Sequence, residues 1–380
     1  MVLVADRARN RIAAVENELL ALSHRVHATP ELKFEETRSS AWVAGLLSDH
    51  GLPVEMGVCD LPTAFVARVG DGPLHLSICA EYDALPAVGH ACGHNIIAAA
   101  AVGAGLALAP LVDELGITLS IHGTPAEEGG GGKVYMLERG AFDGVHASMM
   151  VHPAPIDGLR PRVSAVSHFR VRYTGKESHA AAAPQLGINA ADALVVAQTA
   201  IGLLRQHLRP TDQVHGIVLH GGDAANIVPA HTEGDWMVRA RTIDELEEVR
   251  PRIEQCFHAG AIATGATLEI EDDCPVYTHM DHDDDLVELY RQATEPLGRR
   301  YDDVEMTFST DMGNVSLAMP SIHPTIGIDT AGAVNHQPEF AAACVNASAD
   351  RAVLEGALGL ALTAVATATG PLRDRLVSRS

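Results

Sequence analysis

Apolar residues change their period along the chain, and the changes divide it into three stretches. From residue 16 to 49 they recur at helical spacing, with a break at Pro30. Short, β-rich apolar runs follow at 64–69, Leu74–Ala80, 117–122 and 147–151, separated by segments long enough for helices. The uncharged, Ala- and Gly-rich run 95–112 only just reaches membrane length and is broken by Pro110, so it reads as a buried helix of a layered domain. Strands alternating with helices imply an α/β class, a sheet covered by helices on both faces.

Near Val163 the pattern switches. Residues 168–174 alternate strictly, Phe169, Val171 and Tyr173 on one face against His168, Arg170, Arg172 and Thr174 on the other, which predicts a half-buried strand. A helix follows with Leu194, Ala197, Ile201, Leu204 and Leu208 on one stripe, stopped by Pro210. Strands are expected at 216–220 and 232–241. Thr242 and Glu245 have capping-box spacing before a helix whose inward stripe is Leu246, Val249, Ile253 and Phe257, ended by Gly265. A strand at 267–271 completes β-α-β-β-α-β, the ferredoxin-like order. Beyond about residue 278 the chain returns to an acidic helix (284–297), a loop and strand (321–329) and a long helix from about Asn346. The expected division is a large domain of residues 1–164 and 279–380 with a small domain, 165–278, inserted in it.

Composition narrows the function. The 380 residues carry a formal charge of -22. Nucleic acid is an improbable partner, because binding it requires a basic face that displaces counterions. The six cysteines are scattered, which suits reduced thiols and a cytoplasmic location, and charges at Asp6, Arg7, Arg9 and Arg11 interrupt any apolar leader; no membrane association is expected.

Candidate chemistry gathers after the predicted strands. Cys92 and His94 are metal-ligand types two residues apart, although a buried structural Cys beside a helix-start His would explain that pair as often. Glu127 and Glu128 are more telling. Adjacent acids after an apolar strand repel one another and need a cation or a proton to relieve them. One can bind metal while the other takes a proton from water that a divalent ion has acidified. His152 adds an imidazole at a strand end, Glu81 and Asp83 follow the strand Leu74–Ala80, and His336 lies far downstream. In open α/β sheets the site lies beyond the carboxyl ends of the strands, where these residues are placed. The glycine run Gly129 to Gly132 is expected to let the backbone turn sharply beneath them.

Six motifs, in order, resemble those of the M20 metallopeptidase and amidohydrolase family: Arg25-Val26-His27-Ala28-Thr29-Pro30-Glu31-Leu32, Glu81-Tyr82-Asp83-Ala84-Leu85-Pro86, His90-Ala91-Cys92-Gly93-His94-Asn95, Thr124-Pro125-Ala126-Glu127-Glu128-Gly129, Gly175-Lys176-Glu177-Ser178-His179-Ala180-Ala181 and Asn335-His336-Gln337-Pro338-Glu339-Phe340. Asn95 and the stretch 309–316 are most similar to the branch of aminobenzoyl-glutamate hydrolase and M20-domain dipeptidases. The resemblance implies a phosphorylase/hydrolase-like α/β domain with a ferredoxin-like lid and dimerisation domain. It implies two divalent ions per subunit, zinc first, with manganese, cobalt or nickel as alternatives. Cys92, His94, Glu128, His152 and His336 match the ligands, Glu127 the general base and acid, and Asp83 an orienting acid. His179 and Asn226 match substrate or dimer contacts. Arg239 is a weaker match for a substrate contact, because Arg239 and Arg241 alternate on a strand as solvated side chains do. The implied substrate is a small-molecule amide, an N-acyl amino acid or a dipeptide, with aryl amides also open, and the implied assembly a homodimer through the inserted domain. Two other readings stay open: a non-catalytic metal-binding subunit on this scaffold, which the intact Glu127 disfavours, and a thiol enzyme with Cys92 as nucleophile and His94 as base, which would leave the Glu pair unused.

Overall fold

The computed structural model describes residues 2–301 and 307–378. The chain forms two compact units, one of Met1–Arg162 with Met280–Ser380 and one of Val163–His279.

The first unit is built on a six-stranded sheet. Its spatial order is Val54–Met56, Phe65–Val69, Ile117–Gly123, Leu74–Ala80, Ala147–Met149 and Ser321–Ile322. The last four run parallel, whereas Phe65–Val69 pairs antiparallel with both of its neighbours. The strand Leu74–Ala80 is buried along its whole length. Leu74, Leu76 and Ile78 join the main core with the helices Val2–His27, His94–Leu108 and Ala347–Thr369, and Cys79 faces a smaller cluster with Met136, Phe142, Met312 and Val315. Every residue of His94–Leu108 is buried, which accounts for its lack of any polar stripe.

The first helix and a late strand differ from the sequence expectation. The first helix begins at Val2 rather than near residue 16, because Val4, Ala8, Ile12, Val15, Leu19, Leu22 and Val26 form one buried stripe in which alanine occupies a core position. The strand expected at 321–329 is two short strands, Ser321–Ile322 beside Ala147–Met149 and Thr325–Gly327 beside His152–Ala154. Pro324 stands between them and has no N–H to donate to a ladder. The chain changes sheets there.

The second unit is a four-stranded antiparallel sheet, ordered Thr267–Asp272, Ala165–Thr174, His231–Ala240, Gln213–His220, with the helices Ala190–Leu204 and Ile243–Thr264. In sequence order that is 4-1-3-2, the ferredoxin-like arrangement. Phe169, Val171 and Tyr173 are fully buried, Thr242 Oγ1 accepts from the Glu245 N–H, and Gly265 closes the helix with a φ of 78°.

Candidate metal centre

Most candidate residues of the first unit are placed by element ends, whereas Cys92 and the exposed His336 lie in loops joined by the His336 N–H donating to the Ala91 carbonyl at 2.9 Å. Leu74–Ala80 delivers Glu81 and Asp83; Ile117–Gly123 leads into Glu127 and Glu128; His152 opens the strand His152–Ala154. His94 is the first residue of its helix, preceded by Gly93 at a φ of 73°. A Cβ on Gly93 would lie 2.4 Å from Pro153 Cγ, so only glycine lets the Cys92–His94 loop approach the strand that carries His152. The glycine run behaves as expected: Gly129 and Gly131 take positive φ, and a Cβ on Gly132 would lie 2.0 Å from the Pro125 carbonyl oxygen. Two non-glycine residues here are also left-handed, Ala126 at 59° and His336 at 71°. Such backbone costs of order 1–3 kcal/mol and persists only where surroundings impose it.

All five expected ligands converge. Cys92, His94 and His152 offer ligand atoms within 4.8 Å of one another, and so do Cys92, Glu128 and His336; Cys92 belongs to both groups. His94 Nδ1 lies 3.0 Å from Asp83 Oδ1, which directs Nε2 inward, and Asp83 Oδ2 accepts the Glu128 N–H at 2.9 Å. His152 Nδ1 lies 2.8 Å from the Pro153 carbonyl oxygen, so its Nε2 is the nitrogen left for a ligand. Histidine held by a carboxylate or carbonyl at one nitrogen is the usual support of a metal ligand at the other. Glu127 Oε2 stands 3.7 Å from His94 Nε2 and lies outside both Cys92 groups.

The donors fit divalent cations. His94 Nε2, Glu81 Oε2 and Glu128 Oε1 are buried polar atoms with no hydrogen-bond partner, at a place where such atoms would cost about 1–3 kcal/mol or more each. Thiolate, imidazole and carboxylate together suit a zinc-like ion. Burial and the neighbouring charges shift these groups in opposite directions. Burial and then Glu81 and Glu128 push the Glu127 carboxyl well up, and burial and then Glu128 raise the Cys92 thiol. Burial alone would depress His94, but Asp83, Glu81 and Glu128 raise it well above its ordinary value. Burial, with the neighbouring His94 charge, lowers His152 to about 4.

Lys133 and Asp311, which had no expected role, also belong to the centre, beside the candidate Glu81. Lys133 is fully buried; its ammonium lies 2.5 Å from Glu81 Oε1 and 2.7 Å from Asp311 Oδ1, and its N–H donates to Asp311 Oδ2. Burial would pull that ammonium down, but Asp311 and Glu81 hold it well above the usual lysine value. Glu81 also belongs to a third close group, with His94 and Glu127. Because Lys133 already provides Glu81 with a counter-charge, the two Cys92 groups account better for ion binding. Glu81 was expected here, since it leaves the same strand end as Asp83. Lys133, following four glycines, carried no signal.

His179, Asn226 and Arg239 belong to the second unit. His179 and Asn226 are exposed neighbours: the Asn226 carbonyl accepts the Ala180 N–H, and His179 Nδ1 accepts the N–H groups of Ala181 and Ala182, leaving its proton on Nε2. Arg239 lies beside Met237 on its own strand and His215 on the neighbouring strand Gln213–His220, with Nε 3.3 Å from His215 Nε2. Arg241 pairs with Glu245 one helical turn on.

The sequence matches peptidase family M20/M25/M40 over residues 78–353. The chain belongs to this family. It is 36% identical to the mouse (Mus musculus) Xaa-Arg dipeptidase over 96% of this chain and 88% of that protein. It is 32% identical to one of the subunits of the p-aminobenzoyl-glutamate hydrolase of Escherichia coli K12, over 63% of this chain and 54% of that one. A dinuclear metal-binding M20 peptidase of Bacillus subtilis shares the fold, with a TM-score of 0.72, 21% identity and coverage of 93% of this chain and 98% of its own. The resemblance carried by the six motifs therefore holds, and this M20 protein is a metallo-amidohydrolase.

Proposed function

We propose that this M20 enzyme hydrolyses the amide bond of a dipeptide-like substrate, with N-acyl amino acids as the related class, using two divalent ions and Glu127. The observation that carries the reading is Cys92, shared by two ligand groups with the Glu127 carboxyl beside them. Near-full-length likeness to a dipeptidase favours a dipeptide over an acyl amino acid.

Bound at the two groups, the ions would supply Lewis acidity, acidifying water and polarising the scissile carbonyl. Cys92, His94 and His152 would hold one, and Cys92, Glu128 and His336 the other. Glu127 Oε2 receives the proton of the attacking water and delivers it to the leaving amine nitrogen, the work of a general base turned acid. Asp83 fixes the His94 ring through Nδ1 and the Glu128 backbone through its N–H. His179 and Asn226 are proposed to contact the substrate, and Arg239 its far end. A homodimer through the second unit is supported by its edge strand Gln213–His220, which exposes Ile217, Val218 and Leu219.

Glu127→Gln tests the reading. The expected protein keeps its fold and its ions and loses several orders of magnitude in turnover of basic dipeptides such as alanyl-arginine, compared in one panel with N-acetyl amino acids. Retained turnover would remove Glu127 from the reaction. A thiol mechanism would instead show activity that survives chelation and is lost on alkylation.

A further inference from the structure

Glu36 is a fully buried carboxylate that the reaction above does not use. It precedes the helix Thr37–Asp49, yet its side chain does not cap that helix; Glu31 does so, accepting the N–H groups of Arg38 and Ser39. Glu36 is turned elsewhere. Its Oε1 accepts the Ala126 N–H at 2.9 Å and the Phe34 N–H at 2.8 Å, and its Oε2 accepts from Thr63 Oγ1 at 2.9 Å. Both residues whose N–H groups it holds are left-handed without being glycine, Phe34 at 62° and Ala126 at 59°. Two strained peptides meeting on one carboxylate oxygen is the arrangement expected when a side chain imposes a conformation the backbone would otherwise leave.

Ala126 immediately precedes Glu127, and the N–H just beyond Glu127, that of Glu128, is held by Asp83 at 2.9 Å. The backbone on either side of Glu127 is thus pinned by a separate buried carboxylate, Glu36 before it and Asp83 after it. The Ala126 carbonyl, in turn, accepts the N–H groups of Gly130 and Gly131, closing the turn from the other side. We propose that Glu36 is a positioning residue for the reaction: it holds Ala126 in the left-handed conformation and so aims the Glu127 carboxyl. The inference rests on the reading of Glu127 as general base. Misplacing a reacting group by about 1 Å costs roughly 100-fold in rate, so loss of this hold should appear in kcat.

The experiment compares Glu36→Gln, Glu36→Asp, Glu36→Ala and Glu127→Gln in the metal-loaded enzyme. Readouts are kcat and KM on alanyl-arginine or the best substrate of the panel, metal content, and amide hydrogen exchange of residues 124–131. Gln keeps an acceptor in the Oε1 position and can donate to Thr63 Oγ1, so its kcat should stay within about 5-fold of wild type. Asp keeps the charge but loses the reach, and Ala loses both. These two should lose about 10-fold and about 100-fold in kcat, with KM within about 3-fold, unchanged ion content and faster exchange at Ala126. The order Gln above Asp is the signature of a hydrogen-bonding role. Asp equal to or better than Gln, or wild-type kcat and exchange in Glu36→Ala, would overturn the proposal. Should Ala fail to fold, the Gln and Asp variants decide it, and exchange decides it without any substrate. If Glu127→Gln is inactive while Glu36→Ala is normal, only the role of Glu36 falls; if Glu127→Gln is active, the reading of the site falls with it.

Discussion

Replacing Lys133 by Met should be the most damaging single change near the site that touches none of its expected ligands. The ammonium is fully buried and shared between Glu81 at 2.5 Å and Asp311 at 2.7 Å, both also buried. Removing one partner of a buried ion pair typically costs about 3–5 kcal/mol, because the remaining charge is desolvated and unpaired. Here two carboxylates lose the same partner, so the cost should lie at or above the upper end, a large share of the roughly 5–15 kcal/mol that holds a typical domain. Chemical denaturation at pH 7, monitored by circular dichroism on metal-free protein, measures it. The triple variant Lys133→Met, Glu81→Gln, Asp311→Asn should recover part of the loss, since it removes the unpaired charges but leaves buried amide N–H groups without acceptors. The pH dependence has a definite sign. Burial already raises the Asp311 carboxyl, and without Lys133 it rises further. A folded-state pKa above the unfolded one gives stability that is present below the ordinary carboxylate range and lost as pH rises through the raised value. The deficit of Lys133→Met should therefore be smallest in acid and grow toward neutrality. A single variant within about 1 kcal/mol of wild type at pH 7 would refute the reasoning.

Cys92→Ala should abolish binding of both ions, because both ligand groups include Cys92, whereas His336→Ala should keep about one ion per chain; elemental analysis after dialysis against zinc distinguishes them. Two ions still held by Cys92→Ala would show that the thiol is not shared. Away from the site, burial lowers His122 to about 4 from its ordinary 6.5. Its nitrogens are engaged by Ser77 Oγ at 2.8 Å and the Ala141 carbonyl at 2.9 Å. The folded state binds fewer protons than the unfolded one between those values, so stability is full above about 6.5 and lost as pH falls toward 4, by roughly 3 kcal/mol from this residue. His122→Gln should flatten that part of the stability profile, and an unchanged slope would show that another group causes it.

The small unit was legible in the order and type of its elements because its signals are local, although its first helix ends at Leu204 and not at Pro210. Alternation at Phe169, Val171 and Tyr173, the cap at Thr242 and the stop at Gly265 are each decided within a few positions. The large sheet was legible as strands, and the ligands as chemistry at strand ends. What escaped depends on distant contacts. A lysine after a glycine run reads as solvated, and its burial is decided by Asp311, 178 residues away. Glu36 carries no local signal in the sequence, and its use is decided by Ala126, 90 residues away. The first helix was cut short for a different reason: Ala8 at a core position weakens the apolar stripe that Val4 and Ile12 continue.

Whether one thiol bridges two ions can be seen outright by anomalous diffraction from a zinc-replete crystal. Two peaks per chain are expected, about 3.5–4 Å apart, each about 2.3 Å from Cys92 Sγ, one next to His94 and His152 and the other next to Glu128 and His336, with the Glu127 carboxyl coordinating neither. A single peak, or a pair of peaks that Cys92 does not touch, would contradict this centre.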